Sequence, residues 1–330
     1  LRAESPGPDV GKLAPRMRDT AKILYLLYVF LTVLNIIFLL LGRMPVFDAV
    51  CTALGTAGTG GFGIKNNSIA GYSSYIQNVC TVFMLLFGVN FSCYYLIILK
   101  KIRSVIKDGE LKLYLGLVLA STAAITINIY HLFDNIGNAF HHASFTVASI
   151  ITTTGFATEN FDTWPNFSKA ILLTLMMIGA CAGSTGGGFK CGRLLILIKS
   201  VRRGIRKTLN PNKIEVVRNN GHVVSEKVVE GTNVYVAAYF LIIFISFLLV
   251  AIDGLTITTN ISAVISCFNN IGPGLELVGP TCNYGMFGDF SKIILIIDML
   301  AGRLEIFPIL ILFSKDVWKK DLIHAKSRFR

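Results

Sequence analysis

Apolar residues gather in six stretches, roughly 23–41, 76–99, 113–132, 171–198, 234–252 and 293–313. Each is suited to crossing about 30 Å of hydrocarbon, the fourth with an interruption. Between the two members of each successive pair lies a shorter apolar stretch, at 46–57, 135–152 and 257–268. Several of these are too short to cross, and each ends in a tract rich in threonine, glycine or asparagine. The order span, half-span, polar tract, span therefore occurs three times. It predicts an all-α membrane protein built from repeated units.

The repeats extend to single residues. The tracts read "TGGFG" (59–63), "TTGFA" (153–157) and "NIGPG" (270–274), with central glycines at Gly61, Gly155 and Gly272. A span glycine follows each of them, Gly88, Gly179 and Gly302, at 27, 24 and 30 residues. "NFSKAILLTLMMIG" and "DFSKIILIIDMLAG" match closely. Duplication with divergence accounts for this pattern. "GTGGFG" at 58–63 also fits a dinucleotide-binding fingerprint, but the preceding strand, following helix and distal acid are all missing.

Only 15% of the 330 residues are charged and 53% are hydrophobic, against about 25% charged in soluble domains. The net charge of +12 is placed by topology. Lys100, Lys101, Arg103, Lys107, Lys199, Arg202, Arg203, Arg206 and Lys207 lie between the repeats, and others lie at the termini. The half-span segments instead carry Asp48, Asp134, Glu159, Asp162, Asp253, Glu276 and Asp289. The repeat junctions are thus expected to face the cytoplasm, with the half-spans dipping in from outside. Nucleic acid is not an expected partner; membrane lipid is. The seven cysteines form no C-x-x-C pair and read as small packing residues. His141 and His142 are adjacent, point apart on a helix and suggest no metal site.

Irregular backbone at membrane depth needs a protein wall or a watery cavity around it. Three glycine-centred tracts therefore imply one shared cavity. Glycine admits positive φ and close backbone approach, so carbonyl oxygens can turn to one side and replace the water around a cation. Each half-helix would point its negative C-terminal end inward, beneath an acidic rim that concentrates cations.

"TTTGFAT", "GACAGSTGGGFK", "NNIGPG" and "GRLEIFP" together resemble the Trk/Ktr/HKT superfamily of potassium transporters, most closely its TrkH type. The resemblance implies M1–P–M2 units of potassium-channel type around a pseudo-fourfold pore. It covers nearly the whole chain, with "LRAESPGP" similar to the family's linker between first and second repeats. The implied organisation is a linker at 1–20, the family's second unit at 21–107 and its third at 108–200. A basic cytoplasmic segment follows at 201–230, then the fourth unit at 231–315 and a cytoplasmic tail at 316–330. The family's first repeat is expected to have been lost upstream, since three walls would leave carbonyls facing lipid.

The resemblance places the selectivity filter at Thr59, Gly60, Gly61 and Phe62, at Thr153, Thr154, Gly155 and Phe156, and at Asn270, Ile271, Gly272 and Pro273. Potassium is the implied transported ion, and no bound cofactor is expected. Departures from a channel's T-V-G-Y-G argue for one or two good sites and moderate selectivity over sodium.

"GACAGSTGGGFKCG" (179–192) interrupts the fourth span. Gly183 and Gly188 fit a nucleotide-binding spacing, but Phe189 stands where its lysine belongs. Its glycines with Ser184 and Thr185 exceed what a packing kink needs. The resemblance makes the stretch a gate that obstructs the pore, carried by Gly179, Gly183, Ser184, Thr185, Gly186, Gly187, Gly188 and Lys190. Arg303, a charge inside an apolar helix, marks function. The resemblance makes it a barrier to cations below the filter, while pairing with Asp298 or Glu305 is the structural alternative.

The resemblance further implies a homodimer in the bacterial inner membrane. A cytoplasmic nucleotide-binding subunit of the TrkA type would dock on the basic inner face at 199–230. A secondary transporter coupled to sodium or protons would also have broken helices; it usually has inverted halves, whereas every unit here begins and ends inside. No His, Asp or Glu cluster with ligand spacing at membrane depth supports an enzyme.

Overall fold

The computed structural model of the chain describes residues 17–211, 215–304 and 306–308. Within them the architecture is almost wholly helical, as backbone deprived of water requires. Three long helices, α1 (Met17–Leu41), α6 (Gly109–Ile129) and α10 (Glu226–Val250), are apolar enough to cross a membrane. Against each packs a shorter helix: α2 (Val46–Ala57) on α1, α7 (Ile136–Ile151) on α6 and α11 (Ile257–Phe268) on α10. A returning helix follows each pair. These are α3 (Ser74–Phe87), α8 (Asn166–Ile178) and α12 (Asp289–Arg303), and each packs on both members of its own pair. Neighbouring groups meet where α3 contacts α7 and α8 contacts α11.

The apolar faces are turned outward as well as inward. Tyr25, Leu26 and Phe30 on α1, Leu119 and Ile127 on α6, and Phe240, Leu241 and Phe244 on α10 are exposed. An aqueous surface rarely tolerates so large a contiguous apolar area, so this belt suits lipid. Inside, Ala139, Ala143 and Ala263 are fully buried in the same core cluster as Tyr239 and Phe268, the small residues allowing close helix approach.

The stretch at 76–99, expected as one span, is broken. α3 stops at Phe87, α4 (Phe91–Ile98) leaves at 87° to it, and Gly88, Val89 and Asn90 form the corner. Gly88 ends the helix, and the Asn90 side chain caps the next by accepting from Ser92 N at 2.9 Å. The opened backbone finds partners in a second break, between α8 and α9 (Cys191–Leu209). Cys181 N donates to Gly88 O at 3.1 Å, Phe91 N to Gly183 O at 3.1 Å and Thr185 N to Phe87 O at 3.4 Å. Each interruption thus satisfies the other's groups.

On the basic side, α5 (Ile102–Ile106) leads into α6. A two-stranded hairpin, β1 (Arg218–Asn219) with β2 (His222–Val223), precedes α10. Its tip is Asn220–Gly221, with φ of 51° and 84°, as a type I′ turn requires. α12 ends at Arg303, Ile306–Pro308 is again helical, and the rest of the stretch at 293–313 lies outside the described residues.

Candidate ion pathway

The three tracts leave their half-helices by one backbone route. After α2, α7 and α11 come Thr59, Thr153 and Asn270, at φ 50°, 58° and 56°. Two residues on stand Gly61, Gly155 and Gly272, at 66°, 85° and 104°. Gly60 N donates to Gly55 O at 2.8 Å, Thr154 N to Ser149 O at 2.9 Å and Ile271 N to Ser266 O at 2.9 Å. This six-to-one closure is a Schellman cap. Its left-handed residue is normally glycine; a β-branched threonine there costs about 1–2 kcal/mol.

Adjacent tracts nest head to tail. A Cβ placed on Gly61 would lie 1.9 Å from Thr154 O, and one on Gly155 would lie 2.0 Å from Ile271 O. Only glycine fits where the carbonyls of the next tract approach this closely. A Cβ on Gly272 would meet nothing within 4 Å. Between the first and third tracts lies a cavity of about 620 Å³, lined by Thr59, Gly60, Phe62, Asn270, Gly272 and Arg303 among others. Phe62 stands 81% exposed at its edge, whereas its counterpart Phe156 is buried.

Two serines that sequence reading passed over hold the backbone of the second and third tracts. Ser149 Oγ donates to Phe156 O at 2.5 Å and Ser266 Oγ to Pro273 O at 2.9 Å. Both sit four residues before the left-handed corner. The first tract has Gly55 at that place and lacks the tie. Tyr284 Oη donates to Gly272 O at 2.7 Å. These bonds fix which way the carbonyls point, and Ser266 and Tyr284 also line the cavity.

The segment 179–190 lies across the inner ends of the half-helices. Its base is closed by Lys190 N to Ile178 O at 2.8 Å and Cys191 N to Ala180 O at 2.9 Å. Ser184 Oγ bonds Cys181 O at 2.6 Å, and Lys190, buried, donates through Nζ to Gly186 O. The corner threonines grip its tip: Thr59 Oγ1 donates to Thr185 O at 3.1 Å, and Thr153 Oγ1 accepts from Gly187 N at 2.6 Å. A Cβ on Gly187 would stand 2.5 Å from Asn269 O, and one on Gly186 2.9 Å from Thr152 O. The same Thr185 O accepts from Arg303 Nη1 at 3.2 Å. Arg303 is therefore bonded to the loop. Asp298 is engaged elsewhere, accepting from Ser246 Oγ at 2.7 Å, and Glu305 lies outside the described residues.

The acids of the half-span segments hold loops in place. Asp48 accepts from Tyr72 Oη at 2.8 Å, Asp253 from Gly288 N at 2.8 Å and Asp162 from Glu276 N at 2.9 Å. Glu276 accepts from the Thr256 and Thr259 hydroxyls, the first of which most strongly holds its carboxyl below the usual glutamate range. His141 meets Gln77 Oε1 at 2.6 Å and Asn78 Oδ1 at 3.0 Å, whereas His142 meets Thr158 Oγ1 at 3.1 Å. No cluster of three potential metal ligands occurs among the described residues.

Residues 2–322 match the TrkH family of cation transport proteins. The chain is 33% identical over 324 residues to the Trk system potassium uptake protein TrkH of Salmonella typhimurium, covering 97% of this chain and 67% of that protein. It is 32% identical to the Trk system potassium uptake protein TrkG of Escherichia coli, covering 96% and 66%. The crystal structure of the potassium transporter TrkH from Vibrio parahaemolyticus superimposes with a TM-score of 0.85 at 32% identity, covering 94% of this chain and 67% of that one. The chain spans about two thirds of the length of these relatives.

Proposed function

This chain belongs to the TrkH family of cation transport proteins, and from that premise we propose that it takes up potassium through a channel-like pore. The observation that carries this reading is the head-to-tail nesting of three tracts with one backbone conformation, Thr154 O and Ile271 O turned toward neighbouring glycines. Carbonyls so arrayed replace the hydration shell of a cation. Asn270, Ile271, Gly272 and Pro273 form the third wall beside those at Thr59–Phe62 and Thr153–Phe156. A fourth wall would seat in the cavity between the first and third tracts. The units read as M1–P–M2 repeats at 21–107, 108–200 and 231–315 about that axis.

In this reading the loop at 179–190 is the gate and Arg303 its electrostatic latch. Ions move down their electrochemical gradient, with no reaction on a substrate. The basic junctions face the cytoplasm of a bacterial inner membrane. The protein acts as a homodimer, and α9 with the hairpin region receives a nucleotide-binding subunit of the TrkA type. Val201, Ile205, Arg202 and Arg206 stand exposed there.

Potassium and sodium fluxes in proteoliposomes test the reading, for the parent and for Gly155→Ser. The substitution places a side chain at φ 85° and within 2.0 Å of Ile271 O. Potassium flux should fall by more than tenfold and the potassium preference should be lost. An unchanged ratio at unchanged flux would remove the filter from that tract.

A further inference from the structure

The gate loop has an anchor that neither the filter nor Arg303 supplies. Glu110, in the first turn of α6, accepts from Ala182 N through Oε1 at 2.6 Å. The same carboxyl packs closely against Gly192. A Cβ on Gly192 would lie 2.9 Å from Oε1. Ala182 belongs to the loop, and Gly192 to the first turn of α9, where unpaired N–H groups and the helix dipole favour an acceptor. One carboxyl group therefore ties the two limbs of the interruption together.

The residues just before Glu110 are tied in the other direction. Asn220, at the hairpin tip, accepts through Oδ1 from Gly109 N at 2.9 Å and donates through Nδ2 to Asp108 Oδ2 at 2.8 Å. Lys199 of α9 donates to Asn219 Oδ1 at 3.0 Å. Asp108, Gly109 and Glu110 thus connect the basic-side hairpin, through three consecutive residues, to the loop under the tracts.

We propose that Glu110 is the positioning residue of the gate, clamping the loop to the start of α9 so that loop and helix move as one body. The hairpin, bonded to Asp108 and Gly109, sets where that clamp stands. A displacement of α9 or of the hairpin at the basic face then reaches the loop through Glu110. This inference rests on the reading of the segment 179–190 as the gate.

The test is potassium flux of the intact protein in proteoliposomes, with the thermal unfolding midpoint of each variant measured alongside. Glu110→Ala should raise flux about tenfold, since the bond from Ala182 N and the packing against Gly192 are both lost. Glu110→Gln keeps an acceptor oxygen in place and should return flux most of the way to parental. Gly192→Ala pushes a methyl against the carboxyl on a helix-compatible backbone, and should raise flux in the same direction. Gly187→Ala is the control that unseats the loop without touching Glu110. If Gly187→Ala raises flux while Glu110→Ala and Gly192→Ala stay at the parental value, the clamp is wrong and the gate reading stands. If none of the three raises flux, both fall. If Glu110→Ala is not recovered folded, Gly192→Ala alone decides, and parental flux in it overturns the clamp.

Discussion

Gly187 is where the loop proposed as the gate meets the end of the third half-helix, and alanine there isolates that contact. Its φ lies outside the left-handed region, so the backbone accepts a side chain without strain. The added methyl would stand 2.5 Å from Asn269 O, a backbone atom that cannot rotate aside. An ordinary contact needs roughly 3.4 Å, so the loop tip must lift by about 0.9 Å. That shift breaks the 2.6 Å bond from Gly187 N to the Thr153 hydroxyl, leaving buried polar atoms without partners. Such a loss costs about 1–3 kcal/mol. Charged only against the closed state, it raises the open population by roughly 5- to 150-fold. Thallium or rubidium influx into proteoliposomes reads the change directly. Gly116→Ala, where an added methyl meets nothing within 4 Å, should leave influx at the parental level. Parental or reduced influx in a folded Gly187→Ala protein would refute a closed gate seated on Asn269.

Further expectations follow from the same contacts. Arg303→Ala removes the donor to Thr185 O and a positive charge beside the cavity; potassium flux should rise, and unchanged flux in vesicles would count against the latch. Ser266→Ala frees Pro273 O, so the ratio of potassium to sodium flux should fall severalfold with protein yield preserved; an unaltered ratio would make the serine a packing residue. The Glu276 carboxyl is held below its ordinary value of 4.5, chiefly by the Thr256 hydroxyl. Its stabilisation is therefore complete above that value and is lost as pH falls through the lowered one. Between neutral pH and about pH 3, the unfolding midpoint of the parent should decline more steeply than that of Glu276→Gln, and parallel curves would contradict the linkage.

The half-helices were legible because a short apolar run followed by threonine and glycine has few structural solutions at membrane depth. The corner conformation was half legible: glycine at 61, 155 and 272 announced positive φ, while Thr59, Thr153 and Asn270 did not, since β-branched residues resist it. The 87° break at Gly88–Asn90 stayed hidden inside an apolar run. Its cause is long-range: the backbone opened there pairs with Cys181, Gly183 and Thr185, about ninety residues on. Ser149 and Ser266 read as small residues in apolar helices, and Gly55 broke the pattern that would have exposed them. Glu110 was hidden among charged residues at a helix start, where a carboxylate ordinarily means a solvated first turn. The Asn220–Gly221 pair carries a hairpin signal that reading 201–230 as a basic segment left unused.

The central claim is that main-chain oxygens of the tracts at 59–62, 153–156 and 270–273 strip and hold a dehydrated monovalent cation. Anomalous scattering from crystals of the intact protein grown with rubidium or thallium tests it most directly. The account predicts a peak on the axis ringed by those carbonyls, weakened by competing potassium and removed by Gly155→Ser. Ions found only against side chains away from the tracts, with the axis empty, would contradict it.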